Sequence, residues 1–118
     1  AGGLLGADHS DKLLASCQNV WIELSARDPH HYGTFLIKDN RVPRDWLKVF
    51  KKYPDRFMTG TDPVWKASEL HRWDRADEGW LHYEEFIQFH RNWLSQLPSE
   101  LERKIRLDNA RVFWLGNK

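Results

Sequence analysis

Apolar residues recur at helical spacing in four stretches of the chain and alternate with polar ones in two short runs between them. From Ser10 to Cys17, Leu13, Leu14 and Cys17 share one helical face, with Ser10 or Asp8 able to cap the start. Asn19 to Ser25 alternates, Val20, Ile22 and Leu24 against Trp21, Glu23 and Ser25, which is the period of a strand. Bulk on both sides of that run predicts a strand covered on both faces. Pro43 opens a second helix whose inner face is Trp46, Val49, Phe50 and Tyr53, and Tyr53-Pro54-Asp55 stops it. Arg56 to Asp62 predicts a second strand, with Phe57, Thr59 and Thr61 facing one way and Met58, Gly60 and Asp62 the other; Pro63 ends its ladder. The run from Trp80 to Leu97 has the clearest helical period, through Tyr83, Phe86, Ile87, His90, Trp93, Leu94 and Leu97. A last helix opens at Pro98 and Ser99, acidic early and basic late as its dipole favours, and Asn109-Ala110 is expected to interrupt it before the apolar end.

Each strand is followed by a long irregular stretch, residues 26–42 and 64–79, before the next helix. Connections of that length in compact domains usually carry function. The order is therefore two strand-loop-helix units in succession, an α/β arrangement with parallel strands. Two such strands cannot bury themselves, since each leaves an open edge and two apolar faces. The expectation is that neighbouring strands come from the rest of a longer chain or from a partner, so that residues 1–118 are one piece of a single domain.

Composition changes this picture little. The formal net charge of +1 gives no reason to expect nucleic acid or an anionic membrane as partner. No apolar run approaches the ~20 residues a membrane-spanning helix needs, and the opening lacks the pattern of a secretory signal. The lone Cys17 forms no internal disulfide, which favours a cytoplasmic setting, and its apolar surroundings predict packing rather than reactivity. Seven Trp in 118 residues is several times the usual content, which points to a large covered apolar surface or to an aromatic-lined site.

Asp62 is the leading chemical candidate. In barrels of alternating strands and helices, reacting groups sit at the carboxyl ends of strands and on the loops beyond them. Asp62 stands at that end of the second strand, on the face of Gly60, whose missing side chain leaves room for an approaching group. A carboxylate there can bind a metal and take a proton from an attacking water. The competing reading is an Asp that caps the turn beside Pro63.

Three segments together are similar to one family. The string YPDRFMTGTDPVW resembles the last-strand motif of the amidohydrolase superfamily, in its amidohydrolase-related branch, where a helix ending in P-x-R precedes a strand ending in G-[ST]-D. LLASCQNVWIELSARD resembles that family's penultimate helix and strand, and LPSELERKIRLDNARVFW its closing helix, with Asn-Ala before an apolar tail. The resemblance implies the C-terminal portion of a (β/α)8 TIM barrel, namely its last two parallel strands with their flanking helices. It implies a metal-dependent hydrolase acting by metal-activated water. The metal would be divalent, most often zinc, with Asp62 as ligand and proton shuttle, and the substrate a small molecule. The family's other metal ligands lie on earlier strands and have no counterpart here. Ala1-Gly2-Gly3 resembles the stretch just after the family's sixth-strand His, so the chain would begin beyond that ligand and be inactive alone. Where many relatives place an aromatic between the Asp and the Pro, Pro63 comes directly after Asp62.

Other residues have two readings each. Arg27, with Asp28, comes after the first strand and would either pair with a substrate carboxylate or form a surface ion pair. Trp65, His71 and Trp73 would cover the site, Trp65 against substrate, or pack over the barrel top. His30 and His31 offer imidazoles, but without a second ligand pair at metal spacing. His82 and His90 lie in the long amphipathic helix and are expected to be structural. Glu23 would point into the barrel toward polar partners or remain unpaired. The alternatives to a hydrolase are a metal-dependent decarboxylase of the same superfamily, a small Trp-rich binding module that stacks a sugar or a single strand, and a subunit completing a barrel with another polypeptide. A homo-oligomer is compatible with all of them.

Overall fold

The computed structural model describes residues 5–25, 37–61 and 79–116, with the backbone alone at 79 and 80. Helices and a two-stranded parallel sheet make up this part, in the order α1 (Ala7–Ser16), β1 (Ile22–Glu23), α2 (Arg44–Lys52), β2 (Phe57–Met58), α3 (Tyr83–Leu94), α4 (Ser99–Arg103) and α5 (Asn109–Leu115). A 3-10 turn, Gly79–His82, leads into α3, and a π-helical segment, Lys104–Asp108, joins α4 to α5.

Helix α1 starts three residues before the position its apolar spacing predicts. Extended Gly6 precedes it, and the Ser10 amide donates to the Gly6 carbonyl at 3.0 Å. Neither expected cap acts as one: Ser10 is buried inside the helix, and Asp8 pairs with Lys12 one turn on at 2.7 Å. The small residues Ala7 and Ser10 extend the face of Leu14, so the helix packs closely from its first turn. Helix α2 agrees closely with its sequence, with Pro43 just ahead of it and Trp46, Val49 and Phe50 buried. Lys52 on α2 reaches Asp11 on α1 at 2.7 Å, an exposed link between the two helices. That pair lowers the Asp11 carboxyl below its ordinary value, first through the hydrogen bond from Lys52 and then through Tyr53, and the same bond raises Lys52.

The strands pair in register Ile22 with Phe57 and Glu23 with Met58. They are much shorter than the predicted runs 19–25 and 56–62. Among the described residues each strand has one neighbour, so ladder bonds form only where the two overlap: Ile22 N–H to Arg56 O at 2.9 Å and Leu24 N–H to Met58 O at 2.8 Å. Just past β2, the Thr59 amide donates instead to Ile105 O at 3.3 Å, inside the π-helical segment. A wide turn frees a carbonyl that an α-helix would use itself.

Ile22, Leu24 and Phe57 belong to the buried core with Trp46, Phe50 and Trp93. Phe50 sits at its centre, 4.9 Å from the Phe57 ring edge-on, 5.3 Å from Trp46 and 5.6 Å from Trp93. Burial of four large aromatics ties α2, β2 and α3 into one body. Within α3 the Trp93 Nε1–H donates to His90 Nδ1 at 3.0 Å. This bond makes Nδ1 an acceptor, and both rings are buried, which is the structural role expected of His90.

The Asn109-Ala110 interruption does not occur; the helical run continues from 99 through 115. Asn109 is buried, and its side-chain amide donates to Pro54 O and to Phe57 O, both at 2.8 Å. The residue that looked like a helix breaker instead clamps the helix to the entry of β2. Gly116, at φ 71°, ends α5. No helix among the described residues is long and apolar enough to cross a membrane.

Candidate functional site

Asp62, Arg27 and Trp65, the residues singled out from sequence, lie outside the described residues, as do Asp28, His30, His31, His71 and Trp73. The described chain reaches Ser25 after β1 and Thr61 after β2, and so includes the floor from which both segments leave.

Two side-chain anchors, Arg56 and Asn109, fix that floor. Arg56, the Arg of the P-x-R string, donates from Nε to Val20 O at 2.6 Å and from Nη2 to Cys17 O at 2.7 Å, with a further bond from Nη2 to Val20 O. A guanidinium presents several donors in a rigid fork, so one side chain can bind the turn before β1 to the start of β2. Asn109 holds the other side of β2. The two strands are thereby fixed side by side before either leaves the sheet.

The end of the first long connection is described too. Asp39 and Asn40 have φ of 51° and 59°, and Lys38 and Arg41 exchange backbone bonds at 2.9 Å around them. Asn and Asp tolerate that left-handed backbone, so the turn is explained by KDNR. Polar residues of α3 and the turn after it dock the turn: Asn92 Nδ2 donates to Asn40 Oδ1 at 3.1 Å, and Gln96 Oε1 accepts from Val42 N at 2.9 Å.

On the sheet face opposite the core, Glu23 is exposed, Met58 is buried and Gly60 is half-buried. The room left by Gly60, which the sequence assigns to an approaching group, holds the Glu23 side chain: a Cβ on Gly60 would come within 2.6 Å of Glu23 Cδ and 3.0 Å of its Cγ. The Ser25 hydroxyl donates to Glu23 Oε2 at 3.4 Å. Among the described residues Glu23 has no ion-pair partner. Sequence reasoning marked Glu23 as odd on an apolar strand but missed its side-chain contact with Gly60, because that contact depends on strand register. The one available signal was alternation, which sets 23 on one face of its strand and 58 and 60 together on one face of theirs.

Toward the amino ends of the strands this face becomes apolar. Trp21 and Phe113 meet edge-on at 5.5 Å, Phe113 and Trp114 at 5.1 Å, and together with Met58 and Glu23 they border an open cleft of about 460 Å³. Trp114 is 76% exposed and Leu115 66%. For a divalent metal, the described residues contain no group of three or more His, Cys, Asp or Glu able to hold one. Glu23, over the cradle that a Cβ at Gly60 would fill, is the one carboxylate at this end of the described face. One carboxylate is insufficient as a metal site. Compared with models of known protein families, with curated proteins and with solved structures, the chain matches none.

Proposed function

We propose that this chain is the C-terminal segment of a metal-dependent hydrolase of the amidohydrolase type, contributing the last two strands of a (β/α)8 barrel. The observation that carries the reading is the side-by-side parallel pairing of β1 and β2 across α2, with the packed core on one face and Glu23, Met58 and Gly60 on the other, bordered only by the end of α5. That asymmetry is what a barrel wall has, outer face against helices and inner face toward the lumen. Parallel sheets are stable when both faces are covered, and among the described residues one face here is covered only in part, by side chains of α5. The resemblance to the family's motifs supports the reading as well: the described parts of the two strings include β1 and β2, which Arg56 and Asn109 anchor.

In this reading Asp62 is a metal ligand and the acceptor of the reacting water's proton. Arg27 and Trp65 contact a small-molecule substrate from the loops after the strands. The metal, when bound, supplies Lewis-acid activation of water at neutral pH. This chain's own contribution is to fix the direction in which the two strand ends leave the sheet. The remaining ligands and strands come from the rest of the barrel.

The test is elemental analysis of the native polypeptide that carries this chain, beside its Asp62→Asn variant. At least one equivalent of zinc or another divalent metal is expected in the first and a several-fold loss in the second, with unchanged circular dichroism. Equal metal content in both would remove Asp62 from the site.

A further inference from the structure

The open cleft at the amino ends of the strands has walls of one electrostatic sign. Trp21, just ahead of β1, meets Phe113 of α5 at an interplanar angle of 63°, and Phe113 meets Trp114 at 85°. Rings set at such steep angles bound a space instead of closing face to face on one another. Phe113 and Trp114 both remain exposed. Glu23 is the one charged residue among those that line the cleft, and Asn19 and Thr59 add polar groups. Alternate residues of an extended run share a face, so Glu23 follows Trp21 along the cleft by about 7 Å. The Ser25 hydroxyl donates to one Glu23 oxygen, and no cation among the described residues pairs with the carboxylate.

Aromatic faces present the negative side of the ring quadrupole, and the carboxylate adds a full negative charge. A neutral apolar ligand would use the rings and leave that charge without a partner, and an anion would be repelled. The cleft, at about 460 Å³, has the size of a small-molecule site. We propose that it binds a small organic cation of the quaternary-ammonium class, held by the rings of Trp21, Phe113 and Trp114 with Glu23 as counter-ion. These rings stand at the amino ends of the strands, away from the carboxyl ends that the hydrolase reading uses. The inference therefore does not rest on that reading.

The experiment titrates the native polypeptide carrying this chain with choline, followed by saturation-transfer NMR on the choline methyl signal. A parallel titration uses its neutral analogue, in which carbon replaces the nitrogen. Choline is expected to bind, and the analogue to bind several-fold more weakly. Trp114→Ala removes an exposed ring and is expected to weaken choline binding about two- to fivefold. Glu23→Gln keeps the shape, removes the charge and should weaken it by a similar factor, with the difference shrinking at high salt. Glu23→Asp, which keeps the charge, should retain most of the affinity. Both side chains are exposed, so circular dichroism should be unchanged in all three variants. Equal binding of choline and the neutral analogue overturns the proposal and leaves an ordinary apolar cleft. No choline binding in the unaltered polypeptide overturns it too, the cleft then being filled by another part of the protein or by a second copy. Unchanged choline binding in Trp114→Ala or in Glu23→Gln moves the site off this cleft. None of these outcomes bears on Asp62.

Discussion

Two polar side chains, Arg56 and Asn109, hold the strand pair in place by donating to backbone carbonyls rather than to other side chains. Their partners are remote in sequence, which makes them invisible to a local reading. Asn109 looked like a helix interruption because Asn is a poor helix former, and its compensating bonds go to carbonyls more than 50 residues away. Asn109→Ala leaves those two carbonyls without this donor in a buried setting, at a cost of about 2–3 kcal/mol. Urea unfolding should show the loss as a lower midpoint at unchanged slope; an unmoved midpoint would mean that water replaces the amide. Glu23 was legible as an anomaly, a charge in an apolar alternating run, but its contact with Gly60 required the register. Asp62, Arg27 and Trp65 were singled out by residue type and position alone, and they lie outside the described residues.

Elements were legible where period and punctuation agree. Pro43 before α2 and the spacing of Trp46, Val49 and Phe50 predicted both its start and its buried face. Of the predicted inner face of α3, Phe86, His90, Trp93 and Leu94 are buried, Ile87 is half-buried and Tyr83 is 41% exposed, while Phe89, not predicted, is buried and widens the apolar stripe. The start of α1 was missed because Gly6 precedes it without a side-chain cap. Strand lengths were overestimated because alternation measures which faces are apolar, whereas a ladder needs a partner at every residue. The π-helical turn at Lys104–Asp108 has no sequence signature, yet it provides the carbonyl of Ile105 to Thr59.

The link between α1 and α2 gives a pH prediction at this scale. The Asp11 carboxyl is lowered below its ordinary 3.8 by the hydrogen bond from Lys52. A lowered carboxyl contributes stability that is present above its unfolded value and is lost as pH falls through its folded value. The difference in melting temperature between the protein and Asp11→Asn should therefore be constant from neutral pH down to about 4 and vanish below it. Because both side chains are exposed, the difference should be small and should fall with added salt. A difference that persists in strong acid would assign the effect to something other than the carboxylate.

In the described residues, the core covers the face of Ile22, Leu24 and Phe57, and the other face carries Glu23 over Gly60, Met58 and an aromatic border of Trp21 with Phe113 and Trp114 of α5. Two of the seven Trp, Trp46 and Trp93, are accounted for by the core, while Trp21 and Trp114 lie on the open face. The α/β class and the parallel pairing were legible from the order of elements, because parallel neighbours need a crossover such as the one through α2. The cover of the open face was not, since a covering partner leaves no mark on the chain beyond apolar residues awaiting it. In the proposed hydrolase the cover is the rest of the barrel, and this sets the most direct test.

The deciding measurement is the denatured intact mass of the native polypeptide containing this sequence. A (β/α)8 barrel takes about 250 residues or more, so the account predicts a mass at least roughly twice the 14.1 kDa of these residues. A native polypeptide of 14.1 kDa would contradict it.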